Sequence, residues 1–430
     1  MVRQIALLLI LNFAPSASMQ TAPSPKAATG FARLQSLVET RQYLSLENGI
    51  ASTRLEVAEA ALFRGILANR RNRLRDSIDL LEPLAAKLAA APASWREKEL
   101  MTTLADDYSK TFEYVRSEAM FSKLLQRYGA SLTKREHRNF SNRLSEMHLL
   151  RAAPPQTLEK TSPSMLTAKI NGMGLLEVPV EASGKSESWV MDTGANTCVI
   201  TETTARRIGL QLLEGAATTD DISGLPVSFR IGVLPELKIG NTTLHNVELP
   251  VTADKNLNFA GTQIQGIIGF PVQSALGSFS VYADGSVGID SDPPSETTAE
   301  MFMEQQTPLV SVKAGGEARL FSLDTGATGS TFSERFYRVI QSKLADQPVK
   351  TLPVTGAGGT HSIRGYEMKD LAITIAGEDV LLKSAGVFSE PTGAGIDDVF
   401  GNLGQDVLRS FKSYTVDFRG MMFSVEPALR

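Results

Sequence analysis

The chain has 430 residues, is 42% hydrophobic and carries a formal net charge of −4. This composition is typical of globular proteins, and the length allows two or three domains. The slight acidity provides no global positive field, so neither nucleic acid nor an anionic membrane is expected as the main partner.

The N-terminal residues have the layout of a secretory signal peptide. Arg3 supplies an early cation, the run Ile5–Ala14 is apolar, and the small-residue stretch Pro15–Ser18 follows it. We therefore expect residues 1–18 to be a signal peptide and the protein to be exported, either periplasmic or secreted. An uncleaved N-terminal anchor is the alternative. The apolar run is shorter than the roughly 20 residues that cross a bilayer, so no stable membrane span is expected.

Residues 30–150 are rich in Ala, Leu, Arg and Glu, with apolar residues three or four positions apart, which predicts a helical domain. The stretch around 104–108 resembles a tetratricopeptide repeat without its full pattern. The domain carries a net charge of +4 and the rest of the chain −8. This complementarity is compatible with docking of the helices on a protein partner or on the remainder of the chain as an inhibitory prosegment. An ordinary solvated face is the alternative.

Paired prolines mark two predicted linkers, at 151–164 and 292–307. After the first linker the sequence changes to short alternating runs of Val, Thr and Ile, separated by Gly and Asn. This texture predicts two all-β lobes, over 165–291 and 308–430.

The two predicted lobes repeat each other at an offset of 132 residues, which predicts an internal duplication. The repeated residues of the first lobe are Val178, Val180, Ala182, Gly184, Asp192, Thr193, Gly194, Ala195 and Glu202. Their counterparts in the second lobe are Val310, Val312, Ala314, Gly316, Asp324, Thr325, Gly326, Ala327 and Glu334.

Each lobe has an apolar strand that leads directly into Asp-Thr-Gly-Ala, at Asp192 and at Asp324. The strand end presents a carboxylate in a turn, the Gly amide can donate to it, and the Thr can bond locally and across to the opposite lobe. Two facing lobes would bring the carboxylates together at a pseudo-twofold axis, where both cannot readily ionise. One carboxylate can then take a proton from water while the other donates a proton to a carbonyl oxygen.

With these elements in this order, residues 165–430 resemble retropepsin- and pepsin-type aspartic proteases, as two retropepsin-like lobes in one chain. The resemblance implies an all-β bilobal fold and hydrolysis of a peptide or protein substrate by a water between Asp192 and Asp324. It also implies a hydrophobic-hydrophobic-Gly segment behind each carboxylate and a flap over the substrate. The implied support residues are Thr193, Gly194, Thr325, Gly326, Ile268, Gly269, Leu403 and Gly404. The candidate flap residues are Ser223, Gly224, Leu225, Gly356, Ala357, Gly358 and Gly359.

Several features of the sequence resemble the retropepsin type more than the pepsin type. No tyrosine lies between Tyr128 and Tyr282, whereas pepsins place one on the first flap, and an Ala follows each Asp-Thr-Gly. In the second lobe Asn402 precedes Leu-Gly, so this segment matches the family pattern less well than Ile267-Ile268-Gly269 does. Both acids lie in one chain, so a monomer can form the site.

Other chemistries have weaker support in the sequence. The single cysteine, Cys198, lies in an apolar run with no nearby His, which favours a packing role over a nucleophile. No Gly-x-Ser-x-Gly follows a strand, as a serine hydrolase would need. No metal or cofactor is expected, because the four histidines lack ligand spacing. They are His137, His148, His245 and His361. The alternative from another class is a noncatalytic peptide-binding module with a helical docking arm.

Overall fold

The computed structural model describes residues 30–89, 92–160, 162–221, 225–259, 261–290 and 297–428. The chain divides into a helical unit that ends at Arg151 and a β-rich unit that begins at Ala152. The signal peptide predicted over 1–18 lies outside the described residues. Among those that are described, no helix is long and apolar enough to cross a membrane.

The helical unit consists of consecutive helices, each packed against the next. They are α1 (Gly30–Glu39), α2 (Tyr43–Ser52), α3 (Val57–Arg70), α4 (Leu74–Ala89), α5 (Trp95–Lys110), α6 (Tyr114–Tyr128) and α7 (Lys134–Leu150). Helix α4 buries Ile78, Leu81 and Leu84 on one face, as its three-to-four spacing predicts. At the start of α7, Thr133 and Glu136 each bond the other's backbone, which satisfies amides that the first turn leaves free. The helical nature of 30–150 is confirmed, while its likeness to a tetratricopeptide repeat stays a prediction.

The β-rich unit comprises a first β region, β1–β14 with α8 and α9, and a second β region, β15–β24 with α10 and α11. The elements of the first region are β1 (Thr157–Lys160), β2 (Ser164–Thr167), β3 (Lys169–Ile170), β4 (Leu176–Ala182), β5 (Lys185–Met191), β6 (Val199–Thr201), α8 (Glu202–Ile208), β7 (Ala217–Asp220), β8 (Pro226–Ile239), β9 (Thr242–Thr252), β10 (Asn258–Phe259), β11 (Thr262–Gln263), β12 (Gly266–Ile268), α9 (Phe270–Leu276), β13 (Ser278–Tyr282) and β14 (Ser286–Ile289). Those of the second are β15 (Thr298–Glu304), β16 (Thr307–Ala314), β17 (Glu317–Leu323), β18 (Thr331–Phe332), α10 (Glu334–Ile340), β19 (Lys350–Gly356), β20 (Gly359–Ile375), β21 (Glu378–Phe388), β22 (Gly401–Leu403), α11 (Gln405–Leu408), β23 (Phe411–Asp417) and β24 (Met422–Pro427).

Two large sheets contain most of these strands. The first has the order β1-β9-β6-β12-β5-β4-β8-β7, with β3 beside β4. The second has the order β19-β20-β21-β18-β22-β17-β16-β15-β24-β23-β13-β14-β2. Strands β13, β14 and β2 of the first region thus extend the sheet of the second. The joint is the antiparallel pair β13 and β23, where the hydroxyls of Ser280 and Thr415 are hydrogen bonded at 2.7 Å.

The repeated apolar residues face the core. In β4 the side chains alternate, so that Val178, Val180 and Ala182 are buried. Their counterparts in β16, Val310 and Val312 among them, are buried in the same hydrophobic cluster, which extends through both β regions. The 132-residue repeat therefore includes the residues that form the core.

Strands occupy parts of both ranges predicted as linkers, which corrects those boundaries. The first range, 151–164, contains β1 and the start of β2, and β1 pairs with β9. The second, 292–307, contains all of β15, which pairs with β16 and β24. The prediction gave weight to the proline pairs and overlooked the apolar run that follows the second pair. The side chains of Met301, Phe302 and Met303 in that run are completely buried.

Candidate active site

Each Asp-Thr-Gly turn follows a strand, and the strand parallel to it has equivalent neighbours in both β regions. Strand β5 precedes Asp192, and β12 lies parallel to β5 and antiparallel to β6. Strand β17 precedes Asp324, and β22 lies parallel to β17 and antiparallel to β18. The amide of Asp192 donates to the Ile268 carbonyl at 3.1 Å, and that of Asp324 to the Leu403 carbonyl at 2.9 Å. The segments Ile267-Ile268-Gly269 and Asn402-Leu403-Gly404 thus support the backbone of the two acids.

The glycines that end these segments allow a close backbone approach. A Cβ at Gly269 would lie 2.2 Å from the Thr197 carbonyl oxygen, and a Cβ at Gly404 would lie 2.8 Å from that of Ala327. Both distances are shorter than a van der Waals contact permits, and the opposing atoms belong to the backbone. Only glycine fits at these two positions without displacing the turn that carries the neighbouring acid.

The two threonines bind the turns to each other reciprocally. The Thr193 hydroxyl donates to the Leu323 carbonyl at 2.7 Å and accepts from the Thr325 amide at 3.0 Å. The Thr325 hydroxyl donates to the Met191 carbonyl at 2.7 Å and accepts from the Thr193 amide at 2.9 Å. Four buried hydrogen bonds therefore fix the first turn against the second, across a separation of 132 residues in sequence.

The two carboxyl groups are completely buried and interact directly with each other. The Gly194 amide donates to Oδ1 of Asp192 at 2.8 Å, and the Gly326 amide donates to Oδ1 of Asp324 at 2.9 Å. Gly326 also lies against the opposite acid, because a Cβ built on it would be 2.2 Å from Cγ of Asp192. The described chain thus brings together all the predicted residues of both Asp-Thr-Gly turns.

The environment favours a protonated form of this pair. Burial raises the pKa of Asp192 to about 6. Burial, followed by repulsion from Asp192, raises the pKa of Asp324 well above its ordinary value. Because the groups interact directly, they titrate as a unit rather than as separate residues. Between its two ionisation steps the pair carries one proton and one negative charge.

The segment Asn402-Leu403-Gly404, which matches the family pattern less well, contributes a direct contact to the site. Nδ2 of Asn402 donates to Oδ2 of Asp324 at 2.6 Å, and the Ser322 hydroxyl donates to Oδ1 of Asn402 at 2.5 Å. Sequence reasoning identified Asn402 only as a departure from the family pattern. The signal that could have revealed its role was a pair of polar residues, Ser322 and Asn402, within the otherwise apolar runs 320–323 and 401–404.

Cys198 has a structural role, as its apolar context predicts. Its buried sulfur accepts a hydrogen bond from the Gly269 amide at 3.3 Å, and burial raises the pKa of the thiol to about 12. The residue 132 positions later is Ser330, whose hydroxyl accepts from the Gly404 amide at 3.0 Å. Both side chains thus bind the backbone of the glycine segment, and the thiolate form that a nucleophile needs is disfavoured.

The flap residues predicted in the second lobe form the tip of the β19–β20 hairpin. Gly356 pairs with Gly359, and the Gly358 amide donates to Oδ2 of Asp221 at 2.7 Å. Oδ1 of Asp221 accepts from the amide of Leu225, the described member of the first predicted flap, at 3.1 Å. Ser223 and Gly224 lie outside the described residues. Asp221, which sequence reasoning did not single out, therefore connects this hairpin tip to the first β region.

A cavity of about 730 Å³ lies beside the flap hairpin. Its walls come from both β regions and include all four predicted flap residues of the second lobe. The lining residues are Lys255, Asn256, Asn258, Phe259, Pro353, Thr355, Gly356, Ala357, Gly358, Gly359 and Thr360. The volume is within the range of ligand pockets and would accommodate several side chains of a peptide.

Potential metal ligands are not grouped in the described part of the chain. No cluster of three or more His, Cys, Asp or Glu side chains suited to a metal ion occurs there. The carboxyl pair is surrounded by amide donors and apolar side chains, which suits proton transfer between two acids and a water.

Residues 178–272 match a family model described as aspartyl protease. The matched segment runs from β4 into α9, and so includes Asp192, Ile268 and Gly269. Among solved structures the chain is similar to a retropepsin-like aspartic protease from Rickettsia conorii, with 14% sequence identity and a TM-score of 0.21. That alignment covers 31% of this chain and 91% of the other. No curated protein matched the chain. The first β region is therefore similar to aspartyl proteases, over less than half of the whole sequence.

Proposed function

We propose that the protein is an aspartic endopeptidase that hydrolyses peptide bonds with a water activated between Asp192 and Asp324. The observation that carries this proposal is the reciprocal bonding of Thr193 and Thr325, which brings two buried carboxyl groups into one pair. The aspartyl protease match over 178–272 supports the reaction class from an independent direction.

The chemistry requires the pair to hold one proton. The ionised carboxyl takes a proton from water as the water oxygen attacks the peptide carbonyl carbon, and the protonated carboxyl donates its proton to the carbonyl oxygen. The resulting tetrahedral intermediate then breaks its C–N bond as the nitrogen receives the proton that the first carboxyl took from water. The second carboxyl recovers its proton from a hydroxyl of the intermediate, which gives a carboxylic acid and an amine. Raised pKa values keep the singly protonated pair populated toward neutral pH.

The substrate must reach carboxyls that are completely buried. We propose that the β19–β20 hairpin moves away from Asp221 to admit an extended peptide, and closes again before hydrolysis. The adjacent cavity would then take substrate side chains. The common order of strands around Asp192 and Asp324, together with the 132-residue repeat, supports a duplicated pair of retropepsin-like lobes as the origin of this arrangement.

Cleavage of a diverse peptide mixture by the full-length protein, across a range of pH, tests the proposal. We expect the parent to cleave, and Asp192→Asn and Asp324→Asn each to abolish cleavage while the fold is retained. Asp346→Asn is the matched control, because Asp346 is exposed on a turn of the second β region and should leave activity unchanged. A folded parent that binds peptides but cleaves none at any pH would contradict the proposal and favour a noncatalytic peptide-binding module.

We also propose that the protein is exported, periplasmic or secreted, and that the helical unit docks on a protein partner or on the acidic β-rich unit. The pattern of residues 1–18 supports export, and the charges of +4 and −8 support docking. The mass of the protein recovered from its cells would reveal cleavage near Ser18. An intact N-terminus would favour the uncleaved anchor.

A further inference from the structure

The two acids differ in the pair of facing residues that lies behind each of them. In the first β region Val190 of β5 lies opposite Ile267 of β12. In the second, Ser322 of β17 lies opposite Asn402 of β22. All four side chains are buried. A polar pair therefore replaces an apolar pair behind Asp324 alone.

The hydrogen bonds of this polar pair fix the orientation of the Asn402 amide. The Ser322 hydroxyl lies 2.5 Å from Oδ1 of Asn402 and 3.1 Å from the Gly401 carbonyl oxygen. Nδ2 of Asn402 points to Oδ2 of Asp324 at 2.6 Å. When Asp324 is ionised, the opposite amide orientation would place two acceptor oxygens together, so the nitrogen faces the acid. The donor is thus directed at one acid only.

The two carboxyls consequently differ in the hydrogen bonds that they accept. Asp324 accepts from the Gly326 amide at Oδ1 and from Asn402 at Oδ2. Asp192 instead accepts from backbone amides, that of Gly194 at Oδ1 and those of Ala195 and Gly326. The side-chain amide of Asn402 thus adds a donor to Asp324, and a carboxylate holds negative charge better with an added N–H donor than without it.

We propose that Asn402, oriented by Ser322, is a positioning residue that makes the two carboxyls inequivalent by stabilising the ionised form of Asp324. The inference rests on the proposed function for its catalytic meaning, but its physical content concerns the titration of the pair. Burial and the neighbouring Asp192 both disfavour the charge on Asp324, and the Asn402 amide acts against them. Asn402 therefore lowers the pH at which the pair loses its second proton.

The test compares the parent with the double variant Ser322→Val and Asn402→Ile. This variant rebuilds behind Asp324 the apolar pair Val190 and Ile267 that the protein already accommodates behind Asp192. With the donor gone, the upper pKa of the pair should rise by about one pH unit, the effect expected of a hydrogen bond to a charged group. The alkaline limb of the kcat/KM profile should move upward by the same amount.

Carbon-13 NMR titration of Asp side-chain carboxyls in the full-length protein measures this shift without requiring activity. The signals of the pair are assigned through Asp192→Asn and Asp324→Asn. Ser322→Val alone keeps the Asn402 amide and removes its orienting hydroxyl, so it should shift the upper pKa in the same direction by less. It also provides the readout if the double variant fails to fold.

An unchanged titration of the pair in either folded variant would overturn the inference. An inactive parent whose upper pKa still rises in the variants would instead overturn the proposed protease function while supporting the role of Asn402. The two failures are therefore distinguishable. Ile267→Val, a change on the corresponding strand of the first β region, is the control and should leave the titration of both acids as in the parent.

Discussion

At the scale of single residues, the site leaves no space between the second turn and the first acid. A Cβ at Gly326 would lie 2.2 Å from Cγ of Asp192 and 2.3 Å from Oδ2. We expect Gly326→Ala to push the Asp192 carboxyl out of register with its partner. A displacement of about 1 Å at reacting groups costs roughly 100-fold in rate, so kcat/KM should fall by at least about that factor. Steady-state kinetics on the folded variant measures the loss.

The control for this substitution is Gly129→Ala in the helical unit. Gly129 has a helical φ of −49°, and the nearest atoms to its Cβ belong to His137 at 3.9 Å, an ordinary contact. This variant should keep the parent kcat/KM. Parent-like kinetics in a folded Gly326→Ala variant would show that the close packing of Gly326 on Asp192 is not needed for activity.

The residues that the sequence could predict are those fixed by a repeated motif. Asp192 and Asp324 were predicted because the Asp-Thr-Gly turn, with its own amide and hydroxyl partners, is a local pattern. The contacts of Asn402 and Asp221 were not predicted, because each joins segments far apart in the chain. The Asn402 side chain reaches an acid 78 positions away, and Asp221 reaches a glycine 137 positions away. Such contacts depend on tertiary packing.

At the scale of elements, the β19–β20 hairpin contacts the first β region through the Asp221 carboxyl group and through Ala357, which packs in a hydrophobic cluster of that region. Asp221 is completely buried and accepts from the amides of Gly358 and Leu225. We expect Asp221→Ala to release the hairpin tip and to speed amide hydrogen exchange at Gly358 by about tenfold or more, since a hydrogen bond to a charged group is lost. Exchange measured by mass spectrometry on peptides that contain 356–360 tests this.

Asp221→Asn serves as the comparison for the hairpin, because it keeps an acceptor oxygen in nearly the same volume. Its effect on exchange at Gly358 should be smaller than that of Asp221→Ala. Peptides from β21 should exchange at the parent rate in both variants. Equal protection of the hairpin tip in the parent and the Asp221→Ala variant would mean that other contacts close the flap.

Elements were predictable where a periodicity extends over several turns or strands. The three-to-four spacing over 30–150 predicted the helical unit, because each helix buries one face. The range 292–307 was misread, because a proline pair was given more weight than the apolar strand that follows it. The extension of the second sheet by β2, β13 and β14 was not predicted, since strand pairing between distant segments leaves no mark in local sequence.

At the scale of the whole molecule, burying two acids should cost the β-rich unit stability as the pH rises. The folded pKa of Asp192 is about 6, above its ordinary value of 3.8. The folded state therefore binds this proton more tightly than the unfolded state, and the free energy of unfolding falls as pH rises from about 4 through the folded pKa. Asp192→Asn removes this ionisation, and its amide can donate to Asp324. We expect the variant to be more stable than the parent at neutral pH, by up to about 3 kcal/mol.

The measurement that tests this stability prediction is denaturant unfolding at several pH values, followed by the fluorescence of the buried Trp189. The other tryptophan, Trp95, belongs to the helical unit and is changed to Phe in both proteins so that the signal reports the β-rich unit alone. The stability difference should vanish below about pH 3, where the acid is protonated in both states, and grow toward neutral pH. A difference that stays constant with pH would show that the variant acts through packing rather than through the charge of the buried pair.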